Sequence, residues 1–498
     1  MTEFELKFEI PPANLLRVAA ALKEGKTSRQ RLQARYFDTA QGALAAQGLV
    51  VRMRKEGRRW VQTAKGPTST LLERLEHNVT LAQPTKGTQP EVDLARHAAT
   101  PVGHAIAKAL NLHTGEDFPS LVPLYEMEVH RTTRLMEHAG SMVEMALDQG
   151  HIQSGTQSLE VCELEVELKK GQPAHAVALA RQWCADYGLS LSSISKSMKG
   201  QRLRDAGTTV PAVSAAAPEF QQGATGAQIV AAVLQSCLNQ LLPNASEVAA
   251  ASSDPHHVHQ LRVGLRRLRT ALRELDGFAD AFDPAWESAL VQVFRQLGEH
   301  RDHGHLERDL QPTLRSAGGP SVNFGQAGKD MPDPAAVVRA PAFQDVLLDL
   351  IGFAHRSEPQ AASHNVTDGD AIKKTLCKRL KKLRSQALQE GEKFTELSDT
   401  DQHRVRKRLK RLRYLSEFAA PFFKARKLNA FIAALKPAQD ALGLYNDELM
   451  ALQAYRKLAL EEPRAWFGVG WLEARRRRNA EHCLTEIDAF AKARPFWR

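Results

Sequence analysis

The first ten residues alternate. Phe4, Leu6, Phe8 and Ile10 are apolar, while Glu3, Glu5, Lys7 and Glu9 are charged. A period of two predicts a β-strand with one apolar and one charged face. Alone, such a strand is expected to turn its charged side to water. Residues 48–55 and 59–65 flank a Glu56-Gly57 turn signal and predict a hairpin. Residues 35–39, 72–81, 124–136, 142–149 and 159–169 predict further strands. With the opening stretch these make eight, enough to close a barrel. Short helices are expected over 14–22 and within 91–112.

The period changes in the second half. Leu261, Leu265, Leu268, Leu272 and Leu275 step by four and three, which makes the core stripe of a helix. His259, Arg262, Arg266, Arg269 and Arg273 step the same way one residue further on, forming a basic stripe about 100° around it. The pattern returns at His403, Arg406, Lys410 and Arg413, 144 residues later (403 − 259). Each copy is followed by a related motif, Leu297-Gly298-Glu299-His300-Arg301-Asp302 or Leu442-Gly443-Leu444-Tyr445-Asn446-Asp447. This is an internal duplication of a helical unit. Residues 372–388 and 475–478 carry further basic clusters, and 311–341 are expected to form a long loop.

Length and charge divide the chain in the same place. With 498 residues, two or three domains are expected. We place one at 1–205 and another at 225–498, with an Ala-, Pro- and Gly-rich linker at 206–224. Residues 225–498 hold 41 Lys+Arg against 33 Asp+Glu, a net of +8; residues 1–224 hold 26 against 24, a net of +2. The second half is therefore the expected site for a polyanion, because its stripe from Arg262 to Arg273 contains no acid to relieve repulsion. Aromatic content is 6% and no stacking platform accompanies the stripes, so nucleic acid is not the expected partner. No apolar run reaches membrane-spanning length. Five scattered cysteines without a CxxC pair, and a Met1 that leads into an acidic strand, predict reduced thiols and a cytoplasmic protein.

The strand charges form two groups. Glu163, Glu165 and Glu167 share one face, as do Glu144 and Asp148, and as do Arg52 and Arg54. A barrel can turn such faces inward and its apolar faces toward flanking helices. Its interior would then collect the acids Glu3, Glu5, Glu144, Asp148, Glu163, Glu165 and Glu167, and the bases Lys7, Arg52, Arg54, Lys65, Arg74 and Arg131. Burying them without partners is costly. A divalent cation facing the acids and a multi-phosphate facing the bases would offset that cost. Oxygen-rich sites of this kind suit Mg²⁺ or Mn²⁺.

Glu3-Phe4-Glu5-Leu6-Lys7 resembles the ExExK signature of the CYTH superfamily, the triphosphate tunnel metalloenzymes. The resemblance continues in order through Tyr36-Phe37-Asp38-Thr39, Arg52-Met53-Arg54, Thr63-Ala64-Lys65 and Arg74-Leu75-Glu76. It then runs through Arg131, Glu144 to Gly150, Cys162 to Leu168 and Ser195-Lys196-Ser197. It implies an eight-stranded antiparallel β tunnel with flanking helices, an α+β domain. It further implies that Lys7, Arg52, Arg54, Lys65, Arg74, Glu76, Arg131 and Lys196 contact the substrate. Glu3, Glu5, Glu144, Asp148, Glu163 and Glu165 would hold Mg²⁺ or Mn²⁺, with Glu3, Glu5 and Lys7 at the chemistry. The second half resembles the CHAD domain, an all-α module of two four-helix units around a basic channel, associated with inorganic polyphosphate. By position its binding residues would be His259, Arg262, Arg266, Arg269, His403, Arg406, Lys410 and Arg413. The expected activity is metal-dependent hydrolysis of inorganic triphosphate to pyrophosphate and phosphate. The alternatives are thiamine triphosphatase or adenylyl cyclase activity, or a polyphosphate-binding protein without catalysis.

Overall fold

The computed structural model describes residues 2–82, 89–113, 116–205, 207, 210–221, 223–279, 281–324, 331–356 and 369–497, less the side chains of Thr2, Arg301, Asp302, His303 and His305. Positions 206, 208, 209 and 222 of the expected linker lie outside the described residues. Two compact units are present. One comprises Met1–Ala212, Leu242–Asp254 and Arg339–Ser357, the other Val213–Leu241, Pro255–Val338 and Glu358–Arg498.

The strands of the first unit are β1 (Thr2–Glu9), β2 (Thr27–Asp38), β3 (Val50–Glu56), β4 (Arg59–Pro67), β5 (Glu73–Leu81), β6 (Val122–His138), β7 (Ser141–Ser154), β8 (Gln157–Lys170) and β9 (Ser190–Ser192). The helices of its first segment are α1 (Leu15–Leu22), α2 (Pro101–Ala109), α3 (Pro173–Tyr187) and α4 (Lys196–Arg204). Next come α5 (Gly226–Ala249), α6 (Pro255–Glu274), α7 (Ala285–His305), α8 (Gln311–Ser316), α9 (Pro334–Arg339) and α10 (Pro341–Ala354). The chain ends with α11 (Gly369–Gly391), α12 (Asp399–Phe418), α13 (Ala425–Leu458) and α14 (Trp466–Ala491).

The sheet runs β5-β4-β3-β2-β6-β7-β8-β1, and β1 pairs back to β5, so eight antiparallel strands close into a barrel. Lys7, Phe8 and Glu9 of β1 pair with β8 on one edge and with β9 on the other. The alternation of β1 is inverted relative to a wet surface strand. Phe4, Leu6 and Phe8 are buried on the outside of the barrel, while Glu3, Glu5 and Lys7 line the inside. The outer apolar face is covered by helices: α3 packs on β8 and β1, and α10 packs on α3. Arg181 of α3 reaches Asp349 of α10 at 3.0 Å.

β2 begins at Thr27, well before the predicted 35–39. Thr27, Ser28, Arg29 and Arg31 are exposed and lack apolar alternation; backbone pairing with β6, from Thr27 opposite Arg134, makes them a strand. β7 likewise runs on to Ser154 against β8.

In the second unit, α6 packs on α7 and α12, α12 on α11 and α13, and α13 on α14. Leu261, Leu265 and Leu268 of α6, and Leu409 and Leu412 of α12, are fully buried, as their spacing predicts. The expected long loop over 311–341 is corrected. It begins with α8 and ends with α9, and Leu314, Val322 and Phe324 join a core with Leu452, Tyr455 and Val469. Those apolar positions are too sparse to show a period. Residues 325–330 of that stretch lie outside the described residues. No helix among the described residues is long and apolar enough to cross a membrane.

Candidate functional site

Strand order separates the charges inside the barrel. β7, β8 and β1 are consecutive and carry Glu144, Asp148, Glu163, Glu165, Glu3 and Glu5. Across the closed sheet, β4 and β3 carry Lys65, Arg52 and Arg54, while Lys7 stands on β1 among the acids and Arg131 on β6 is registered directly opposite Asp148 of β7. β5 links the two walls with Arg74 and Glu76. A cavity of about 680 Å³ is lined by Glu3, Glu5, Lys7, Arg52, Arg54, Lys65, Arg74, Glu76, Arg131, Glu144, Asp148, Glu165 and Lys196. Glu163 is buried beside it, in reach of Lys196.

Lys196 is delivered by α4. Ser195 caps that helix, its hydroxyl accepting from the Met198 amide at 3.3 Å. Gly200 lets the helix seat against Tyr125, since a Cβ there would meet the Tyr125 ring at 2.2 Å. The Tyr125 hydroxyl donates to the Ser197 carbonyl at 2.9 Å. So held, the Lys196 ammonium donates to Asp148 at 2.7 Å, to Glu165 at 2.7 Å, and to Glu163. Arg131 clasps Asp148 through two bonds of 2.7 and 2.6 Å and reaches Glu165 at 2.5 Å. Burial opposes ionisation of Glu165 and Asp148, but Lys196 and Arg131 overcome it and hold both below the usual carboxylate range. Burial likewise opposes the charge on Lys196, and its three carboxylates overcome it and raise its pKa well above the ordinary lysine value.

Asp148, Glu163 and Glu165 offer ligand oxygens that lie within 4.8 Å of one another. Three carboxylates converging on one point, already occupied by a positive ammonium, form a donor set that fits a hard divalent cation.

A second knot joins Lys65 to Glu3 at 2.9 Å and to Glu76 at 2.8 Å. Burial and a hydrogen bond with Glu76 push Glu3 up to about 8, so Glu3 keeps a proton at neutral pH. Glu76 moves down: the hydrogen bonds it receives from Glu3 and Lys65, with the Lys65 charge, outweigh its burial. Thr63 donates to Asn78 at 2.7 Å, and Asn78 to Glu76 at 2.8 Å, which fixes the Glu76 carboxylate.

The basic wall is less satisfied. Arg54 pairs with Glu56, and burial and the neighbouring Arg52 lower its pKa to about 10. The Nε groups of both Arg52 and Arg54 are buried without an acceptor. Two such donors beside an open cavity favour an anion with several oxygens.

In the helical unit the stripes of α6 and α12 face each other. Burial and the charges of Arg406, Arg266 and Arg413 lower the Lys410 pKa to about 8. Lys407 is lowered by burial and by Arg269, Arg406 and Arg273. Repulsion is not wholly uncompensated, as the acid-free stripe predicts, because acids arrive from other turns and helices. Arg269 pairs with Glu287 of α7 at 2.6 Å, Arg413 with Glu417 at 2.8 Å, and Arg411 with Glu274. Neither Arg266 nor Lys410 forms an ion pair among the described residues; Asp440, which pairs with Lys436, only partly offsets the bases around Lys410. Arg262 is buried, donating to the Phe294 carbonyl at 2.7 Å with its guanidinium 4.4 Å from the Phe294 ring centre. Gly298 makes room for it: a Cβ there would lie 2.4 Å from the guanidinium. His403 Nδ1 lies 2.8 Å from Asn446 Oδ1, and His259 is exposed.

A CYTH domain model matches residues 1–200, and a CHAD domain model matches residues 232–456. The chain is a CYTH domain joined to a CHAD domain. An inorganic triphosphatase of Haemophilus influenzae is 28% identical over 173 residues, which span 34% of this chain and 44% of that relative. The match thus covers less than half of the relative's length. Among solved structures, the CHAD domain of Ricinus communis is 22% identical with a TM-score of 0.47, covering 57% of this chain and 98% of that one. A Hippeastrum adenylyl cyclase-like protein described as having a dominant triphosphatase activity is 17% identical with a TM-score of 0.31, covering 42% of this chain and 98% of that one.

Within the CYTH domain, sequence reasoning missed several residues in or beside the cavity. Lys199, one helical turn beyond Lys196, donates to Glu163 at 3.0 Å and to Glu9 at 2.8 Å. Its spacing from Lys196 was the available signal. Lys169 holds Glu167 at 2.5 Å and Glu144 at 3.2 Å. Thr63 and Asn78 were hidden because a neutral residue on a polar strand face carries no distinguishing mark.

Proposed function

We propose that the CYTH barrel hydrolyses inorganic triphosphate to pyrophosphate and phosphate, using Mg²⁺ or Mn²⁺, and that the α6–α12 groove of the CHAD domain binds inorganic polyphosphate. The observation that carries the catalytic half is the closed tunnel with opposed walls, one of convergent carboxylates and one of arginines with orphaned donors. The name borne by the Haemophilus relative supports the same substrate class. Hydrolysis adds one water: its oxygen bonds the terminal phosphorus, the phosphoanhydride P–O bond breaks, and pyrophosphate leaves. Arg52, Arg54 and Lys65 would neutralise the non-bridging oxygens and fix the chain in line. Asp148, Glu163 and Glu165 would hold the cation, which when bound lowers the pKa of water and screens the developing charge. Glu5, paired with Lys7 at 2.8 Å, would orient the water and receive its proton on the way to solvent. Glu3, protonated at neutral pH, is suited to donate a hydrogen bond to a phosphate oxygen.

Phosphate release should be measured on triphosphate, pyrophosphate, long-chain polyphosphate, ATP and thiamine triphosphate, each with Mg²⁺ and with Mn²⁺. Triphosphate is expected to be fastest. No release from any of them would overturn the hydrolase reading, and a preference for thiamine triphosphate or ATP would reassign the substrate. For the groove, labelled polyphosphate should resist competition by DNA at fixed salt; equal affinity for both would sink the polyphosphate preference. Five free cysteines support a reducing, cytoplasmic setting.

A further inference from the structure

The place where the metal reading puts a cation is filled by the Lys196 ammonium. We propose that Lys196 is a displaceable counter-ion, so that a divalent ion enters among Asp148, Glu163 and Glu165 only as this ammonium withdraws toward the phosphates. The inference rests on the metal-dependent reading of the tunnel given above.

Three observations carry it. The first is steric. Lys196 Nζ lies 2.7 Å from both Asp148 and Glu165 and also bonds Glu163, so it stands at the point where the three carboxylates converge. An oxygen-bound Mg²⁺ stands about 2.1 Å from its ligands, and both cations cannot share that point. The second is charge. Asp148, Glu163 and Glu165 already face Lys196 and Arg131, with Lys199 sharing Glu163 and Glu9. A divalent ion added to this neutralised and nearly water-free cluster would meet net repulsion unless one base left. The third is position. Lys196 is the first residue of α4 and lines the open cavity, so its four-carbon side chain can swing while the helix stays seated through Gly200 and Tyr125.

Lys196 and Lys199 divide Glu163 between them. Lys196 bonds its Oε1, and Lys199 bonds its Oε2 and is anchored by Glu9. Departure of Lys196 therefore frees one oxygen while Lys199 keeps the carboxylate aimed. Binding of the phosphate chain, which attracts Lys196, then favours entry of the metal, and by linkage the metal favours the phosphate chain.

The test is Mn²⁺ binding without substrate, by calorimetry, in the full chain and in Lys196→Met. The variant is expected to bind Mn²⁺ about tenfold more tightly, because the competing ammonium is gone. Equal or weaker binding overturns the proposal. A second measurement uses the wild-type chain and does not depend on the variant folding. Acetic anhydride labelling of Lys196, read by mass spectrometry, should rise on adding Mn²⁺ alone and fall again with triphosphate present, while Lys199 stays protected. Lys196 protection unchanged at saturating Mn²⁺ overturns the proposal. If metal-dependent phosphate release is intact while both readouts are flat, the displacement fails and the hydrolase reading stands. If the wild-type chain binds no Mn²⁺ and releases no phosphate, both fall.

Discussion

Two lysines, Lys196 in the barrel and Lys410 in the helical groove, are both withdrawn from water and shifted in opposite directions. Lys196 touches three carboxylates and its pKa rises, while Lys410 meets Arg406, Arg266 and Arg413 and falls to about 8. The tunnel is a mixed-sign site whose acids are already paired, by Lys196 and Arg131, while Arg52 and Arg54 keep buried donors open. The groove is a predominantly basic site in which Glu287 and Glu417 pair Arg269 and Arg413, and in which a polyanion would relieve the repulsion left around Arg266 and Lys410. The first arrangement suits chemistry, in which a cation and an anion must be held together and partners exchanged. The second suits retention of a chain of negative charge.

The comparison is broken most directly at Glu165. Glu165→Gln should lower triphosphate hydrolysis by about a thousandfold or more while leaving polyphosphate binding unchanged. Retention of normal turnover in a phosphate-release assay would remove the acid wall from the mechanism. Next in size, Arg266→Ala combined with Lys410→Ala should weaken polyphosphate binding by about a hundredfold at fixed salt, with hydrolysis in the tunnel unaffected. An unchanged titration with labelled polyphosphate would move the ligand elsewhere.

A smaller effect separates the sites by pH. Folding lowers the Lys410 pKa, so its charge costs stability in full below about pH 8, and that cost fades as pH rises toward the ordinary lysine value of 10.5. A bound polyanion restores the charge. Polyphosphate affinity should therefore decline as pH is raised through this region, with proton uptake on binding, and Lys410→Arg should flatten the profile. The same slope in both proteins would exclude Lys410 as its source. The smallest effect concerns Arg262. Its guanidinium is committed to Phe294, so Arg262→Gln should lower stability by about 1–3 kcal/mol in thermal melts. Arg266→Ala should leave the melting temperature nearly unchanged, and the reverse ranking would exchange the structural and binding roles of the two arginines.

Much of the tunnel was legible because burial on one face of a strand imposes a period of two, as at Phe4, Leu6 and Phe8. The charges on the other face then had to share an interior once eight such strands were present. What could not be read were partnerships between elements. Glu287 of α7 neutralises Arg269, part of a stripe that looks acid-free along its own helix. Orphaned Nε groups on Arg52 and Arg54 depend on what surrounds them, not on their spacing. Thr27 to Arg31 became strand only through pairing with β6. Nothing in the apolar periodicity of Pro341–Ala354 tells a helix that covers α3 from one that packs among α11 to α14.

The position of β1 has a consequence for synthesis. β1 is synthesised well before its partners, yet its charged face is completed by β8, where Glu5 stands opposite Glu167, and by α4, which brings Lys196. Until those late segments emerge, β1 can pair only with β5 through Thr2 to Phe4, and its remaining edge, with an apolar side, is prone to pair with whatever strand it meets. Closing so long a loop is entropically slow and makes barrel formation the expected rate-limiting step in maturation. Appearance of phosphate-releasing activity during synthesis would then mark a single event, the moment the two ends of the barrel meet.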